Sequence, residues 1–400
     1  MEAGMAQIWA GVDIGKTGHH CVVINTDGKR LLSRRIANDE PELVKLIDEV
    51  RELGQDTVWA VDLPDGGAAL LIGLLVERDQ QLLYIPGRTL NRVAGGYRGE
   101  GKTDARDAAI IADQARMRRD LHPLRPGDEV TIELKLLTTR RADLVADRTR
   151  AINRLRGLLS GIFPALDRAF DNLTLVGPLT LLTGYQTPAA LRRTGASRLE
   201  TWLSTRKVRN PGKVAAAAIE AAARQHTRLP GEALTASMVA ALAEEVMALN
   251  ERIKEADKLI EGRFHRHELA EVIISLPGIG TLLGAEFLAA TGGDMDYFGT
   301  PDRLAGFAGL APAAWDSGRI RGNLHRPKRY HRGLNRVFYQ SAMISISCSP
   351  ESRTYDRKRG EGKKHTQAVL ALVRRRVNVL WALIREKRPY QPLPPVAVAA

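Results

Sequence analysis

The sequence predicts an α/β domain over residues 1–125 and, behind it, a long and mostly α-helical remainder. Three observations predict this. Residues 8–14, 19–25 and 30–36 read as three short strands, and Asp27-Gly28, between the second and third, is a hairpin-turn pair. Residues 40–85 alternate helical and extended patterns. From about residue 128 the apolar spacing turns helical and stays so for most of the chain.

After the three strands, a helix is expected over 40–53, with Asn38 or Asp39 as its cap. A strand near 57–62, a helix near 67–78, a strand near 81–85 and a helix from about 103 complete the order βββαβαβα. Three antiparallel strands followed by parallel strands through helical crossovers is the order of a ribonuclease-H-like, or RuvC-like, sheet.

Residues 128–160 include ELKLLTTRRADLVADRTRAINRLRGLLSG, with apolar residues at helical spacing and charges between them, which reads as a long helix or coiled-coil arm. Pro164, Gly177-Pro178, Pro188 and Pro211-Gly212 punctuate shorter helices, and a second long helix covers about 233–268. The division expected is 1–125, a helical arm over 126–268, a helical C-terminal domain over 269–390, and a Pro-rich tail over 391–400.

The charge is unevenly spread. The chain is +13 overall, yet residues 1–120 carry 16 Lys+Arg against 19 Asp+Glu, while residues 294–400 carry 20 against 8. Acids gather at one end and a surface suited to a polyanion at the other. The two cysteines, Cys21 and Cys348, lie far apart and imply neither a disulfide framework nor a zinc site, so a reducing cytoplasm is the simple inference. The N-terminus lacks the basic and apolar regions of a signal peptide. The apolar stretch from Val272 to Gly293 is broken by Pro277, glycines and Glu286, which argues against a membrane span.

Four acids stand where a two-metal nuclease would need them. Asp13 in GVDIGKTGHH and Asp62 in VWAVDLPDGG end strands; Asp104 and Asp107 in GKTDARDAA lie three apart on one helix and share a face. Converging carboxylates hold hard divalent cations against the oxygens of a phosphodiester. Singly, each has an ordinary reading as a turn acid, a loop acid or a helix cap, or as part of the phosphate hairpin of a kinase-like fold. That fold needs a second Asp-Gly-rich hairpin, and none occurs between 130 and 300. Asp113, on the same helix but off that face, is read as solvated. Lys102 and Arg106 flank the pair, either to touch a scissile phosphate or merely to offset the acids.

A second constellation lies near the other end. From Gly318 to Arg336 the chain carries Arg319, Arg321, Arg326, Lys328, Arg329, Arg332 and Arg336, two histidines and no acid, a composition suited to phosphate. Ser317 heads this loop. A serine hydroxyl among arginines can attack a phosphodiester, although most Ser-Gly pairs are turns. Ser341, Ser345 and Ser347 read as helix-packing residues. LPGIG at 276–280 fits a helix-hairpin-helix whose amides meet DNA phosphates, or a turn between packed helices.

GVDIGKTGHH, KTDARDA, LPGIGTLLGAEFLAATGG, FAGLAPAAWDSG and RGLNR, taken in order, resemble the DEDD transposases of insertion-sequence family one hundred and ten, the bridge-RNA-guided recombinases. The resemblance covers nearly the whole chain. It implies a RuvC-like domain, a coiled-coil arm and a C-terminal transposase domain. It implies Mg²⁺ on Asp13, Asp62, Asp104 and Asp107, and Ser317 as nucleophile. It further implies donor and target DNA, a guide RNA, and a homo-oligomer, dimer or tetramer, with composite active sites in a bacterial cytoplasm. One departure is visible: the family's second acid is usually Glu, whereas this chain has Asp62, with Asp65 as the fallback ligand. Two other classes remain open: a RuvC-like junction resolvase that needs the acids but not Ser317, and a non-catalytic nucleic-acid-binding descendant.

Overall fold

The computed structural model describes residues 7–54, 56–63, 66–85, 87–97, 103–119, 121, 123–124, 129–319, 321–325, 327–348 and 353–391. The chain divides into two compact units, Met1–Gly127 and Asp128–Ala400.

The first unit is built on a five-stranded sheet. The elements are β1 (Ile8–Ile14), β2 (Gly18–Ile24), β3 (Arg30–Ala37), α1 (Glu40–Leu53), β4 (Thr57–Val61), α2 (Ala69–Glu77), β5 (Gln81–Tyr84), α3 (Gly87–Val93) and α4 (Asp104–Met117). The strand order is β3-β2-β1-β4-β5. β1, β2 and β3 are antiparallel neighbours, while β1, β4 and β5 run parallel, as the order of elements requires. Gly28, at φ +77°, closes the β2–β3 turn where only glycine turns without strain. The Asp39 side chain caps α1 by accepting from the Glu42 amide.

Alternation along the strands sorts two cores. Ile8, Ala10, Val12, Cys21, Val23, Trp59 and Val61 pack with Leu43, Leu46, Ile47, Leu71 and Leu75, the apolar faces of α1 and α2. Trp9, Val22, Ile24, Val58 and Ala60 point to the other side and meet Ala108, Ile111, Ala112 and Ala115 of α4. The sheet is therefore covered on both faces. The sequence did not foretell α3, whose GRTLNRV has little apolar periodicity to announce it.

Among its described residues, the second unit has helices and one small hairpin as its regular elements. Two long helices, α5 (Glu129–Ile162) and α11 (Glu232–Phe264), frame five shorter ones: α6 (Pro164–Ala169), α7 (Val176–Gly184), α8 (Pro188–Thr194), α9 (Ala196–Thr205) and α10 (Pro211–Ala223). Proline opens α6, α8 and α10, where its missing N–H costs nothing. The long helices are antiparallel. Arg141 pairs with Asp257, Arg148 donates to Asn250 at 3.0 Å, and Arg263 meets Glu133 at 3.1 Å, so partner numbers fall on one helix as they rise on the other.

Beyond them lie α12 (Ala270–Ile274), α13 (Thr281–Thr291), α14 (Pro301–Phe307), the hairpin β6 (Ala313–Ala314) and β7 (Leu324–His325), α15 (Arg332–Cys348), α16 (Arg353–Gly360) and α17 (His365–Arg385). Two apolar cores result. One lies among α5–α11 around Leu155, Phe163, Leu182, Leu203 and Val246. The other gathers Phe287, Leu304, Phe338, Val373 and Leu380, and takes in Leu134 of α5 with Ile260 and Phe264 of α11. Among the described residues no helix is long and apolar enough to cross a membrane.

Candidate active site

Asp13 and Asp62 lie at the C-terminal ends of the neighbouring strands β1 and β4. In β1, Trp9 lies in the α4-side core and a Cβ on Gly11 would collide with Ala108 and Ala112, so alternation carries Asp13 to the same side. Val12 pairs with Val61, so Asp62 follows as Asp13's neighbour one strand over. Its Oδ1 accepts the Ile14 amide at 3.3 Å. Over this edge stands the first turn of α4, which carries Asp104 and Asp107 and is capped by the Thr103 hydroxyl accepting from the Arg106 amide. Gly11 lets the helix approach this closely.

Asp62 feels both its burial and one acid of α4. Burial pushes the Asp62 carboxyl above its usual range; backbone amides of Ile14 and Asp62 oppose the rise, and the charge of Asp107 adds to it. Among the described residues, no three His, Cys, Asp or Glu side chains stand close enough together to hold a metal ion. Asp13, Asp62, Asp104 and Asp107 offer carboxylate oxygens, which is the donor chemistry a hard divalent cation takes.

His20 was missed in reading the sequence. It pairs with Asp13 across β1 and β2, and its ring nitrogen Nε2 lies 3.0 Å from the Ser33 hydroxyl. Burial lowers its pKa while the charge of Asp104 raises it. The two-residue spacing His20, Val22, Ile24 placed it on the α4 face, and that spacing was the available signal.

The flanking residues differ from expectation. Asp113 is not merely solvated: it accepts from the Tyr97 hydroxyl at 2.7 Å and pairs with Arg116 at 2.7 Å. Burial foremost, with the bond to Asp113, pushes Tyr97 up to about 12. Arg116 is three residues on along the same helix, while Tyr97 comes from a segment whose fold gave no sequence signal. The Arg106 guanidinium donates to the Ala94 and Tyr97 carbonyls, both at 3.2 Å, and so braces the turn after α3. Lys102 and the fallback acid Asp65 lie outside the described residues.

In the second unit, Ser317 lies exposed within the β6–β7 hairpin, and Arg319, Arg321, Lys328, Arg329 and Arg332 are exposed around it. The hairpin is pinned by Trp315 N–H donating to the Asn323 carbonyl at 2.8 Å and by Asn323 N–H donating to Asp316 Oδ1 at 2.9 Å. Arg336 is engaged elsewhere, paired with Glu286 at 2.5 Å. Arg326 lies outside the described residues. Trp315 is 69% exposed, an aromatic neighbour of Ser317 that a search for charges passed over.

LPGIG forms the turn between α12 and α13. Gly278, at φ +84°, packs against the Ser341 carbonyl, and Arg376 donates to Ser341 Oγ at 2.9 Å and to the Pro277 carbonyl. Ser341 and Ser345 are buried packing residues, as expected, whereas Ser347 is exposed. Helical phase carries Ser347 off the packed face that Ser341 and Ser345 share.

A DEDD transposase family model matches residues 10–164, and the model of the transposase IS116/IS110/IS902 family matches residues 270–357. The chain is 60% identical over 399 residues to the 42 kDa protein of insertion element IS900 from Mycobacterium paratuberculosis, covering 99% of this chain and 100% of that one. It is 52% identical to the 44.8 kDa protein of insertion element IS116 from Streptomyces clavuligerus, over 98% of each chain. To the 43.6 kDa protein of insertion element IS110 from Streptomyces coelicolor it is 36% identical, over 98% of this chain and 97% of that one. The acidic sheet edge falls inside the first matched segment and the basic hairpin inside the second, and the likeness runs end to end: this chain belongs to the IS116/IS110/IS902 family of transposases.

Proposed function

We propose that this transposase moves its insertion element by site-specific recombination, with Ser317 as nucleophile, the four N-terminal acids as a Mg²⁺ site and a guide RNA selecting donor and target DNA. The observation that carries the reading is Asp13 beside Asp62 at the ends of β1 and β4, with Asp107 on the first turn of α4 near enough for its charge to raise the Asp62 carboxyl. Burial foremost, with the charge of Asp107, raises the Asp62 carboxyl, and a divalent cation would offset both by favouring its ionised form. Asp62 in place of the family's usual Glu is one methylene shorter and still offers carboxylate oxygens.

Asp13, Asp62, Asp104 and Asp107 would hold the metal, which when bound supplies Lewis-acid stabilisation of phosphodiester oxygens. The Ser317 hydroxyl attacks phosphorus. A new Oγ–P bond forms, one P–O bond to deoxyribose breaks, and the released oxygen takes up a proton. Rejoining reverses the exchange with a hydroxyl from another strand and regenerates the serine. Arg319, Arg321, Lys328, Arg329 and Arg332 hold the phosphates and stabilise developing charge. The guide RNA and a homo-oligomer with composite sites rest on the family resemblance.

Covalent capture tests this. Protein, Mg²⁺, RNA from the element's flank and donor plus target duplexes are denatured and resolved beside Ser317→Ala and Asp104→Ala. An adduct made by the unaltered protein and lost in the serine variant is expected. Cleavage without an adduct, indifferent to Ser317 and lost in Asp104→Ala, would overturn the serine step and leave a metal-dependent nuclease.

A further inference from the structure

Trp315 stands two residues before Ser317 on a hairpin that gives it almost no apolar cover. Its side chain is 69% exposed and Leu324 of the facing strand is 58% exposed. Exposed tryptophan is unusual, because the indole is among the largest apolar surfaces a residue offers. The position is nonetheless a fixed one. Trp315 N–H donates to Asn323, the Asn323 amide side chain returns a bond to the Trp315 carbonyl at 3.3 Å, and the ring meets His325 edge-on with centroids 5.5 Å apart. A flexible loop would let the indole fold down; this one presents it.

Its surroundings are cationic. Arg319 and Arg321 follow on the same loop, Lys328, Arg329 and Arg332 come next, and Asp316, the one acid in the sequence from 309 to 336, accepts the Asn323 amide. An exposed aromatic face set among arginines matches a chain that carries bases on a phosphate backbone. The cations track the phosphates while the ring stacks on a base. A hydrocarbon partner would leave the arginines unpaired, and an acidic protein would leave the indole unused.

We infer that Trp315 is a DNA-binding residue that stacks on a base left unpaired or unstacked at the cleaved step, with Leu324 as a wedge beside it. The ring holds the strand so that a phosphate lies at Ser317. Placement at the cleaved step rests on Ser317 being the nucleophile; stacking itself does not.

The test separates the two. In the full-length Ser317→Ala protein, which forms no adduct, the fluorescence difference from Ser317→Ala/Trp315→Phe isolates the indole at 315. Adding a short mixed-sequence DNA single strand should quench that signal and shield it from acrylamide. Trp315→Ala should weaken single-strand binding by roughly tenfold, Trp315→Phe should restore most of it, and melting temperatures should match. DNA that binds without changing the signal, or equal affinity in the alanine variant, overturns the stacking. Shielding that grows with protein concentration in the absence of DNA also overturns it, and assigns the ring to a contact between copies. Quenching retained while covalent capture fails in the unaltered protein removes the placement at Ser317 and leaves a base-stacking residue.

Discussion

A Cβ on Gly11 would stand 2.3 Å from the carbonyl oxygen of Ala108. The sheet and α4 meet backbone to backbone at this point, and the meeting fixes how near Asp104 and Asp107 come to Asp13 and Asp62. Gly11→Ala forces the helix outward. The expected cost is about 3 kcal/mol in urea unfolding, with DNA cleavage lost as the acids separate. A variant as stable and active as the unaltered protein would show that the approach does not set the site.

Asp107 raises the Asp62 carboxyl by its charge, after the larger effect of burial. Asp107→Asn removes that repulsion along with a proposed metal ligand. Thermal unfolding without divalent metal should shift upward by roughly 1–3 °C, while cleavage falls about 100-fold or more. Stability that falls with activity would count against a repelling cluster.

His331 precedes α15 and accepts the Leu334 amide on Nδ1 at 3.0 Å, with its ring stacked on Phe307 at 5.3 Å. The cap needs that nitrogen unprotonated. Burial, helped by Lys135, lowers the His331 pKa below its ordinary 6.5. A depressed pKa contributes stability that is complete above the unfolded value and is lost as pH falls through the folded one. Unfolding measured from pH 7.5 down to about pH 5 should show this loss below the ordinary histidine range. His331→Asn, which caps without titrating, should flatten the profile. An unchanged profile would place the pH dependence elsewhere.

Arg376 is buried and ties α17 to the α12–α13 turn through Pro277 and to α15 through Ser341. Replacing it with Leu leaves a half-buried carbonyl and a buried hydroxyl without their donor. The expected loss is about 2–4 kcal/mol in denaturant unfolding. Gly278→Ala should be at least as damaging, since φ +84° and the Ser341 carbonyl 2.5 Å from the new Cβ both oppose it. If either variant unfolds like the unaltered protein, the turn is not held from these points.

The basic residues around Ser317 should reveal themselves through salt. Arg321→Ala and Arg329→Ala should each weaken DNA binding uniformly across sequences and reduce the salt slope by about one. Arg336→Ala, whose charge is already matched by Glu286, should change the slope little. Equal effects at all three would mean that the Arg336–Glu286 pair opens on DNA.

The parts legible in sequence were those with short-range causes. β1, β2 and β3 announced themselves by strand-like runs and Asp27-Gly28, α1 by its Asp39 cap, and the acids by strand ends and a helical spacing of three. Tertiary pairings were not legible. Nothing local says that Asp113 will accept a hydrogen bond from Tyr97, that Arg336 will reach Glu286, or that Arg106 will spend its guanidinium on the backbone of 94 and 97. Each is a long side chain with several partners in range, and the fold alone chooses among them. Trp315 escaped because tryptophan is ordinarily core, so its exposure is knowable only from coordinates.

The sharing of Leu134, Ile260 and Phe264 with the C-terminal core has a consequence for how the second unit can be cut. A fragment starting at residue 269 would carry Phe287, Phe338 and Leu380 without the helix ends that cover them, and a fragment ending at 268 would leave those ends bare. Arg141 and Asp257, 116 positions apart, meet only after the intervening chain has been made and folded back. Neither half is then a self-sufficient folding piece. Dissection of this transposase should succeed near residue 127, and a cut at 268 should give material that aggregates through its open apolar face.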